Sequence, residues 1–189
     1  MQVQPSAPRF QIAVTADGLQ ALIPVKRSFF AMLFMTVWLC GWAYGWHDVA
    51  GKVFGAGLAE TPVFLAVWLT AWTCGGLFAV LSLLWQFGGR ELLTANAASL
   101  TYRAELFGIG LTRVYAADQI RALRVAPITA EGAAFNRAGM PPFLGKAFGP
   151  LVFDYGAKTI RLLQGTDEAE AKALVKHLAE RLPRAATAD

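Results

Sequence analysis

Two long apolar runs dominate the pattern of hydrophobic and polar positions along this chain. No charged residue occurs in 29–46 or in 61–89. A bilayer requires about 20 consecutive apolar residues, whereas a run of about 10 to 14 is typical of a buried core helix. The pattern therefore predicts a transmembrane hairpin made of a first span, an external loop and a second span: 28–46, 47–60 and 61–88.

A cleaved signal peptide is the alternative interpretation of the first apolar run. Such a peptide would place a basic start directly before a short apolar segment, with a small-residue cleavage site after it. Here residues 1–27 precede the run and carry their own alternating pattern, and a second apolar run follows. These features favour a transmembrane helix over a signal peptide.

The residues before the first span alternate in a way that predicts a β-hairpin. Ile12 and Val14 lead up to Asp17-Gly18, a dipeptide that favours tight turns because glycine tolerates positive φ. A two-stranded hairpin is only marginally stable alone. We therefore expect segment 1–27 to join the domain that follows the second span, so that the helical hairpin is inserted into that domain.

The segment 89–183 has the pattern of short strands followed by one helix, with a tail at 184–189. Six β-type runs are separated by turn-like breaks: RELLTA, SLTYRAELF, LTRVYA, DQIRALRVAP, LVFDYG and KTIRLL. A Gly/Pro-rich stretch at 127–150 predicts a long irregular loop. Thr166 is the expected N-cap of the last helix. That helix has one apolar stripe: Ala171, Leu174, Val175, Leu178 and Leu182.

Composition and charge favour a multi-pass membrane protein with both termini in the cytoplasm. Hydrophobic residues make up 56% of the chain and charged residues 16%, against about 25% charged in soluble domains. Basic residues flank the spans and the 47–60 loop is net acidic, so the positive-inside rule places the loop outside. The net charge of +4 suits an anionic lipid surface. Nothing in the pattern indicates nucleic-acid binding.

Several stretches of the sequence resemble bacterial membrane proteins that carry a pleckstrin-homology-like (PH-like) domain. They are the first span with its flanks, LLWQFGGRELL, LTYRAELFGIGLTRVYAADQIRALRV and FDYGAKTIRLLQGTDEAEAKALVKHL. The resemblance implies a membrane α+β fold: a two-helix transmembrane hairpin inserted into a PH-like β-barrel or sandwich closed by the C-terminal amphipathic helix. It also implies the bacterial inner membrane as the location, and it brings no catalytic residues with it.

No motif in the sequence indicates an enzyme, a metal site or a cofactor. There is no nucleophile elbow, P-loop or dinucleotide-binding glycine motif. His47 and His177 have no metal-ligating neighbours at suitable spacing. We interpret Cys40 and Cys74, one in each span, as small buried thiols between packed helices. The expected protein is therefore non-enzymatic and needs no cofactor.

Small residues recur four apart in both predicted spans, at Gly41 and Gly45 and at Ala71 and Gly75. In lipid, this spacing lets helices approach closely. The favoured interpretation is that these residues pack the two spans against each other within one chain. A dimerisation face is the alternative.

Basic residues supply the candidate binding sites on the cytoplasmic side. Lys26, Arg27 and Arg90 flank the spans at one leaflet, as ordinary topogenic anchors or as a selective site for anionic lipid headgroups. Arg121 and Arg124 lie on one predicted strand, as a solvated face or as a docking surface for an acidic partner.

Aromatic residues make the 127–150 loop a candidate docking segment. Phe135, Phe143 and Phe148 are expected to be exposed there, and an apolar loop of this kind docks on a partner or dips into a membrane surface. Within FDYG, Asp154 is expected to form a structural ion pair with Arg161 on the adjacent strand.

The favoured hypothesis is an interaction module that serves as an accessory or assembly subunit of a larger inner-membrane complex. Its expected ligands are membrane lipids and a membrane-protein partner or further copies of itself. The alternative is an anionic-lipid-binding or envelope-sensing protein. A transporter or channel is disfavoured because two spans are few and neither contains a charged residue. Deletion of 130–148 separates the first two hypotheses, since only the first predicts loss of a partner.

Overall fold

Two units make up the chain, whose computed structural model describes residues 9–15, 18–56, 63–137, 139–144, 148–183 and 186. The β domain consists of Met1–Lys26 and Gly88–Asp189, and the helical unit consists of Arg27–Phe87. The helical unit is therefore inserted, in sequence, into the β domain, as the N-terminal pattern predicted.

The helical unit contains α1 (Phe29–Ala56) and α2 (Val63–Gly88). The strands of the β domain are β1 (Gln11–Thr15), β2 (Gly18–Pro24), β3 (Gly89–Ala95), β4 (Ser99–Leu106), β5 (Ile109–Ala116), β6 (Ile120–Val125), β7 (Leu151–Tyr155) and β8 (Lys158–Leu162). Its helices are α3 (Ala130–Arg137) and α4 (Glu168–Ala179), and 3₁₀ turns lie at Ala117–Gln119 and Pro142–Leu144.

A five-stranded antiparallel sheet joins the N-terminal hairpin to the strands after the helices. Its order is β1-β2-β3-β4-β5. Strand β2 pairs with β3 from Leu19 opposite Ala95 to Pro24 opposite Arg90, which confirms that the N-terminal segment completes the later domain. The predicted turn at 16–17 lies outside the described residues.

A second antiparallel sheet, ordered β6-β7-β8, is not hydrogen-bonded to the first among the described residues. Neither sheet closes into a barrel, so the barrel form of the predicted barrel or sandwich is wrong, and the described residues of the β domain form a mixed α+β unit with two antiparallel sheets. The 3₁₀ turn Ala117–Gln119 separates β5 from β6 and leaves β5 as an edge. The sheets meet through side chains, with the ring of Tyr115 5.1 Å from that of Phe153.

Helix α4 begins at an acidic cap that also holds the N-terminal segment. Asp167, rather than the predicted Thr166, is the N-cap, and it forms a capping box with Glu170. Arg9 donates hydrogen bonds from its backbone and its guanidinium to the Glu170 carboxylate. Burial alone would raise the pKa of Glu170, but these bonds outweigh burial and lower it.

Helix α1 is longer than the predicted span, because it continues to Ala56 instead of ending near residue 46. Charged residues in this extension form an i,i+4 ion pair, with 2.6 Å between Lys52 Nζ and Asp48 Oδ2. Ala50 and Val53 are buried against Leu69 of α2. The prediction of a loop over 47–56 is wrong because these contacts extend the helix.

Candidate functional site

The helical unit presents an apolar surface that its own residues do not cover. Both helices are long and apolar enough to cross a membrane, and their most apolar 18-residue windows are 0% and 17% buried. A core helix of a soluble protein would be mostly covered. The exposed large side chains run along both helices and include Phe30, Phe34, Val37, Phe64, Val67 and Leu77.

The two helices are joined by tryptophan rings that pack onto glycines. A Cβ on Gly76 would collide with the ring of Trp42, and a Cβ on Gly45 would lie 3.3 Å from that of Trp72. The Trp42 indole donates a 3.0 Å hydrogen bond to the Trp72 carbonyl. Of the predicted small residues, Gly45 thus contacts the other span as expected, and Gly76 does so from α2. Both glycines accommodate tryptophan rings instead of bringing the backbones close.

Two other predicted small positions, Gly41 and Gly75, have open space around them. Nothing lies within 4 Å of a Cβ placed on Gly41 or on Gly75. A groove of about 300 Å³ beside Gly41 is lined by Val37, Trp38, Gly41, Trp42 and Trp72. The two cysteines, at 40 and 74, are exposed, so the prediction of buried thiols between packed helices is wrong.

Replacing Gly76 by alanine should destabilise the helix pair by about 1–3 kcal/mol, because the added methyl group overpacks against Trp42. The matched control is Gly75→Ala on the same helix, where the Cβ meets open space. Thermal unfolding in detergent, followed by tryptophan fluorescence, tests this, since all six tryptophans lie in the helical unit. Equal shifts for the two variants would contradict the packing argument.

The predicted lipid-headgroup residues differ in their exposure and in their contacts within the protein. Lys26 follows the end of β2 and is exposed. The Arg27 guanidinium donates a 3.1 Å hydrogen bond to the Phe87 carbonyl. Arg90 forms an ion pair with Glu105, a carboxylate that is 5% exposed. Their role in headgroup binding stays a prediction.

The predicted strand arginines are held by local acceptors. Arg121 donates to the backbone carbonyls of Asp118 and Ile120. Arg124 forms the ion pair with Asp154, at 2.9 Å, and the pKa of Asp154 is lowered by that bond. The predicted Asp154–Arg161 pair is therefore wrong. A register shift in β6 between positions 121 and 124 precedes Arg124, and the Arg161 guanidinium donates to backbone carbonyls instead.

The aromatic residues of the predicted loop pack inward. Its first part forms α3, and the rings of Phe135 and Phe148 lie 4.9 Å apart. These residues and Phe143 are half-buried, so the prediction of exposed aromatics is wrong. The Gln164 side chain donates a 2.9 Å hydrogen bond to the Met140 carbonyl and ties this segment to the domain. Deleting 130–148 would therefore remove packing as well as any docking surface.

The buried carboxyl group of Glu91 was not predicted from the sequence. Glu91 lies on the core face of β3, is 1% exposed and neighbours Tyr102. Burial raises its pKa to about 7, although the Gly165 and Gln164 backbone amides and the nearby Tyr102 hydroxyl favour the charged form. The signal lay in the alternation, because Glu91 shares its strand face with Leu93 and Ala95.

The exposure of apolar side chains at and along β5 was also not predicted from the sequence. Phe107, Ile109, Leu111 and Val114 are exposed at the hairpin between β4 and β5 and along the edge strand. The pattern placed Phe107, Leu111 and Val114 on strands and Ile109 in the break between two strands. It gave no indication that the domain leaves these side chains exposed. They form the exposed apolar surface of the β domain that any binding hypothesis has to address.

In the described part of the chain, no three His, Cys, Asp or Glu side chains cluster closely enough to hold a metal ion. Comparison of the chain with protein families, with curated proteins and with solved structures finds no match in any of the three. The candidate binding sites are therefore the two surfaces described above, the groove of the helical unit and the apolar edge of the β domain.

Proposed function

We propose that this protein is a non-enzymatic membrane module, an accessory or assembly subunit that binds a larger inner-membrane protein complex. The observation that carries the proposal is the apolar groove at Gly41, on a helical unit whose surface is exposed along its length. In lipid, small residues beside large ones form a surface that accepts another helix. The occupant proposed for the groove is a transmembrane helix of the partner.

Membrane insertion of α1 and α2 is supported by their length and by their uncovered apolar surface. Helices of 28 and 26 residues extend about 42 and 39 Å, which exceeds the roughly 30 Å hydrocarbon core. A soluble monomer rarely exposes so large an apolar surface to water. The positive-inside pattern supports a cytoplasmic location for the β domain.

A PH-like architecture for the β domain is supported by its order of elements. Two antiparallel sheets are followed by one capped amphipathic helix whose apolar side is buried. The helical unit lies, in sequence, between the neighbouring strands β2 and β3. A fold of this kind hosts many functions, so the argument for partner binding rests on the groove.

The test is a mild-detergent purification of the tagged full-length protein, comparing wild type with Gly41→Leu. Leucine at 41 fills the groove, so we expect the co-purifying membrane protein to be lost. The matched control is Gly51→Leu, which adds the same side chain at another exposed glycine of α1 with open space around it. The control should retain the partner.

Two results would contradict the proposal. One is equal recovery of the partner with both leucine variants, which would place the contact elsewhere. The other is recovery of the wild type as a lipid-bound monomer without a protein partner. That second result would favour the alternative hypothesis of an anionic-lipid-binding or envelope-sensing protein.

A further inference from the structure

The hairpin between β4 and β5 ends in an exposed apolar tip, defined by Phe107, Ile109 and Leu111. Leu106 pairs with Ile109 across a two-residue turn in which Phe107 and Gly108 have φ of 50° and 87°. This is the geometry of a tight type I′ hairpin. Phe107, Ile109 and Leu111 are 66%, 84% and 56% exposed, so the β domain covers none of them.

The register of the sheet fixes where this tip lies. Pro24 pairs with Arg90, Arg90 with Glu105, and Glu105 with Gly110. These residues mark one end of the five-stranded sheet. At this same end the chain leaves β2 toward α1 and enters β3 from α2. A Cβ on Gly88, the last residue of α2, would collide with the Phe107 ring. The tip is thus adjacent to the point where the helical chain joins the domain.

Charge at this end of the sheet favours an anionic surface. Glu105 is 5% exposed and forms ion pairs with Arg90 and Arg103. Lys26, which follows Pro24 at this end, is exposed. The accessible charge of these residues is therefore positive. The Arg103 guanidinium also donates a 2.9 Å hydrogen bond to the Gly108 carbonyl, which fixes the turn that presents the tip.

We propose that the Phe107–Ile109–Leu111 tip inserts into the interfacial region of an anionic bilayer. The occupant is the lipid surface itself, because apolar side chains flanked by arginine and lysine match acyl chains below phosphate headgroups. The inference rests on the proposed membrane insertion of α1 and α2, since their attachment brings this end of the sheet to the membrane. Insertion of the tip gives the β domain a direct membrane contact, in addition to its covalent connections to α1 and α2.

Depth-dependent quenching in proteoliposomes tests the inference. The full-length protein is reconstituted into vesicles of phosphatidylethanolamine and phosphatidylglycerol, with and without lipids that carry a nitroxide near the top of the acyl chain. An environment-sensitive fluorophore is attached at I109C in a background with Cys40→Ala and Cys74→Ala. The matched control is A97C, an exposed position in the turn between β3 and β4, at the opposite end of the sheet.

A third label separates the inference from the proposed function on which it depends. Native Cys74 is exposed on α2, so its label should be quenched by nitroxide deep in the acyl chain if α2 spans the bilayer. We expect quenching of Cys74 by deep nitroxide, several-fold stronger shallow quenching at 109 than at 97, and a blue shift of emission at 109. Loss of the shift in vesicles of neutral phosphatidylcholine would confirm the anionic preference.

Three other outcomes would each overturn the inference. Quenching of Cys74 with equal, weak quenching at 109 and 97 would overturn the inference and leave the membrane span intact. Shielding of the label at 109 from both lipid nitroxide and aqueous iodide would show that protein covers the tip, and would also overturn it. Absence of deep quenching at Cys74 would refute membrane insertion of α2, and the inference would fail with it.

Discussion

Replacing Glu91 by glutamine should make the folded β domain more stable at pH 8 and remove most of the pH dependence of its unfolding. Burial raises the pKa of Glu91 from 4.5 to about 7. The folded protein therefore keeps a proton on this group at pH values where the unfolded chain has released it. One pKa unit corresponds to about 1.4 kcal/mol, so the difference amounts to about 3 kcal/mol.

The sign follows from proton binding in the two states. Where the folded state binds more protons than the unfolded state, stability falls as pH rises. For Glu91 the stabilisation is fully present below about pH 4.5 and is lost by about pH 7. Glutamine does not titrate and has nearly the same volume, so the variant should lack this loss. Below pH 4.5 the two proteins should differ little, because the wild-type carboxyl is then neutral in both states.

Urea titrations in detergent at pH 5, 6, 7 and 8, read by pulse proteolysis, measure this free energy of unfolding. The matched control is Glu180→Gln, which changes the same group at an exposed position after α4. The control should follow the wild type at each pH. A Glu91→Gln variant whose stability falls with pH as steeply as the wild type would show that the titrating group lies elsewhere.

Alternation and turn chemistry predicted the strands of this protein well. The N-terminal hairpin, its pairing with β3 and the six later strands all lie where the pattern placed them. What could not be predicted from local pattern was tertiary: the extension of α1 depends on contact of Val53 with α2. The N-cap, by contrast, was predictable locally, because Asp167 and Glu170 have the spacing of a capping box. Whether the strands close into a barrel also depends on the connection between β5 and β6, which side-chain periodicity does not predict.

The candidate sites were harder to predict because exposure is a property of the whole fold. Val114 and Ile120 both occupy predicted strands, yet the first is 64% exposed and the second is fully buried. Conversely, Phe135 and Phe148 lie in a stretch with loop composition and are packed on each other. The predicted apolar surface in the 127–150 segment is therefore wrong, and the exposed apolar side chains of β5 were not predicted.

Truncating Phe153 to alanine should have the largest effect on the β domain, about 3–5 kcal/mol of lost stability. Its side chain is 0% exposed on β7, and its ring lies edge-on to that of Tyr115 on β5. Because the two sheets share no backbone hydrogen bonds among the described residues, contacts of this kind hold them together. Removal of the ring leaves a cavity between sheets that no strand pairing can close.

The same substitution at Phe107 is the matched control for Phe153→Ala. Phe107 is 66% exposed, so its truncation should change the free energy of unfolding by no more than about 0.5 kcal/mol. Pulse proteolysis across a urea series compares the two variants with the wild type. A small loss for Phe153→Ala would mean that the sheets are held by other contacts, such as α4 against β6. A large loss for Phe107→Ala would mean that the tip is part of the core, and would remove the reason to assign it to lipid.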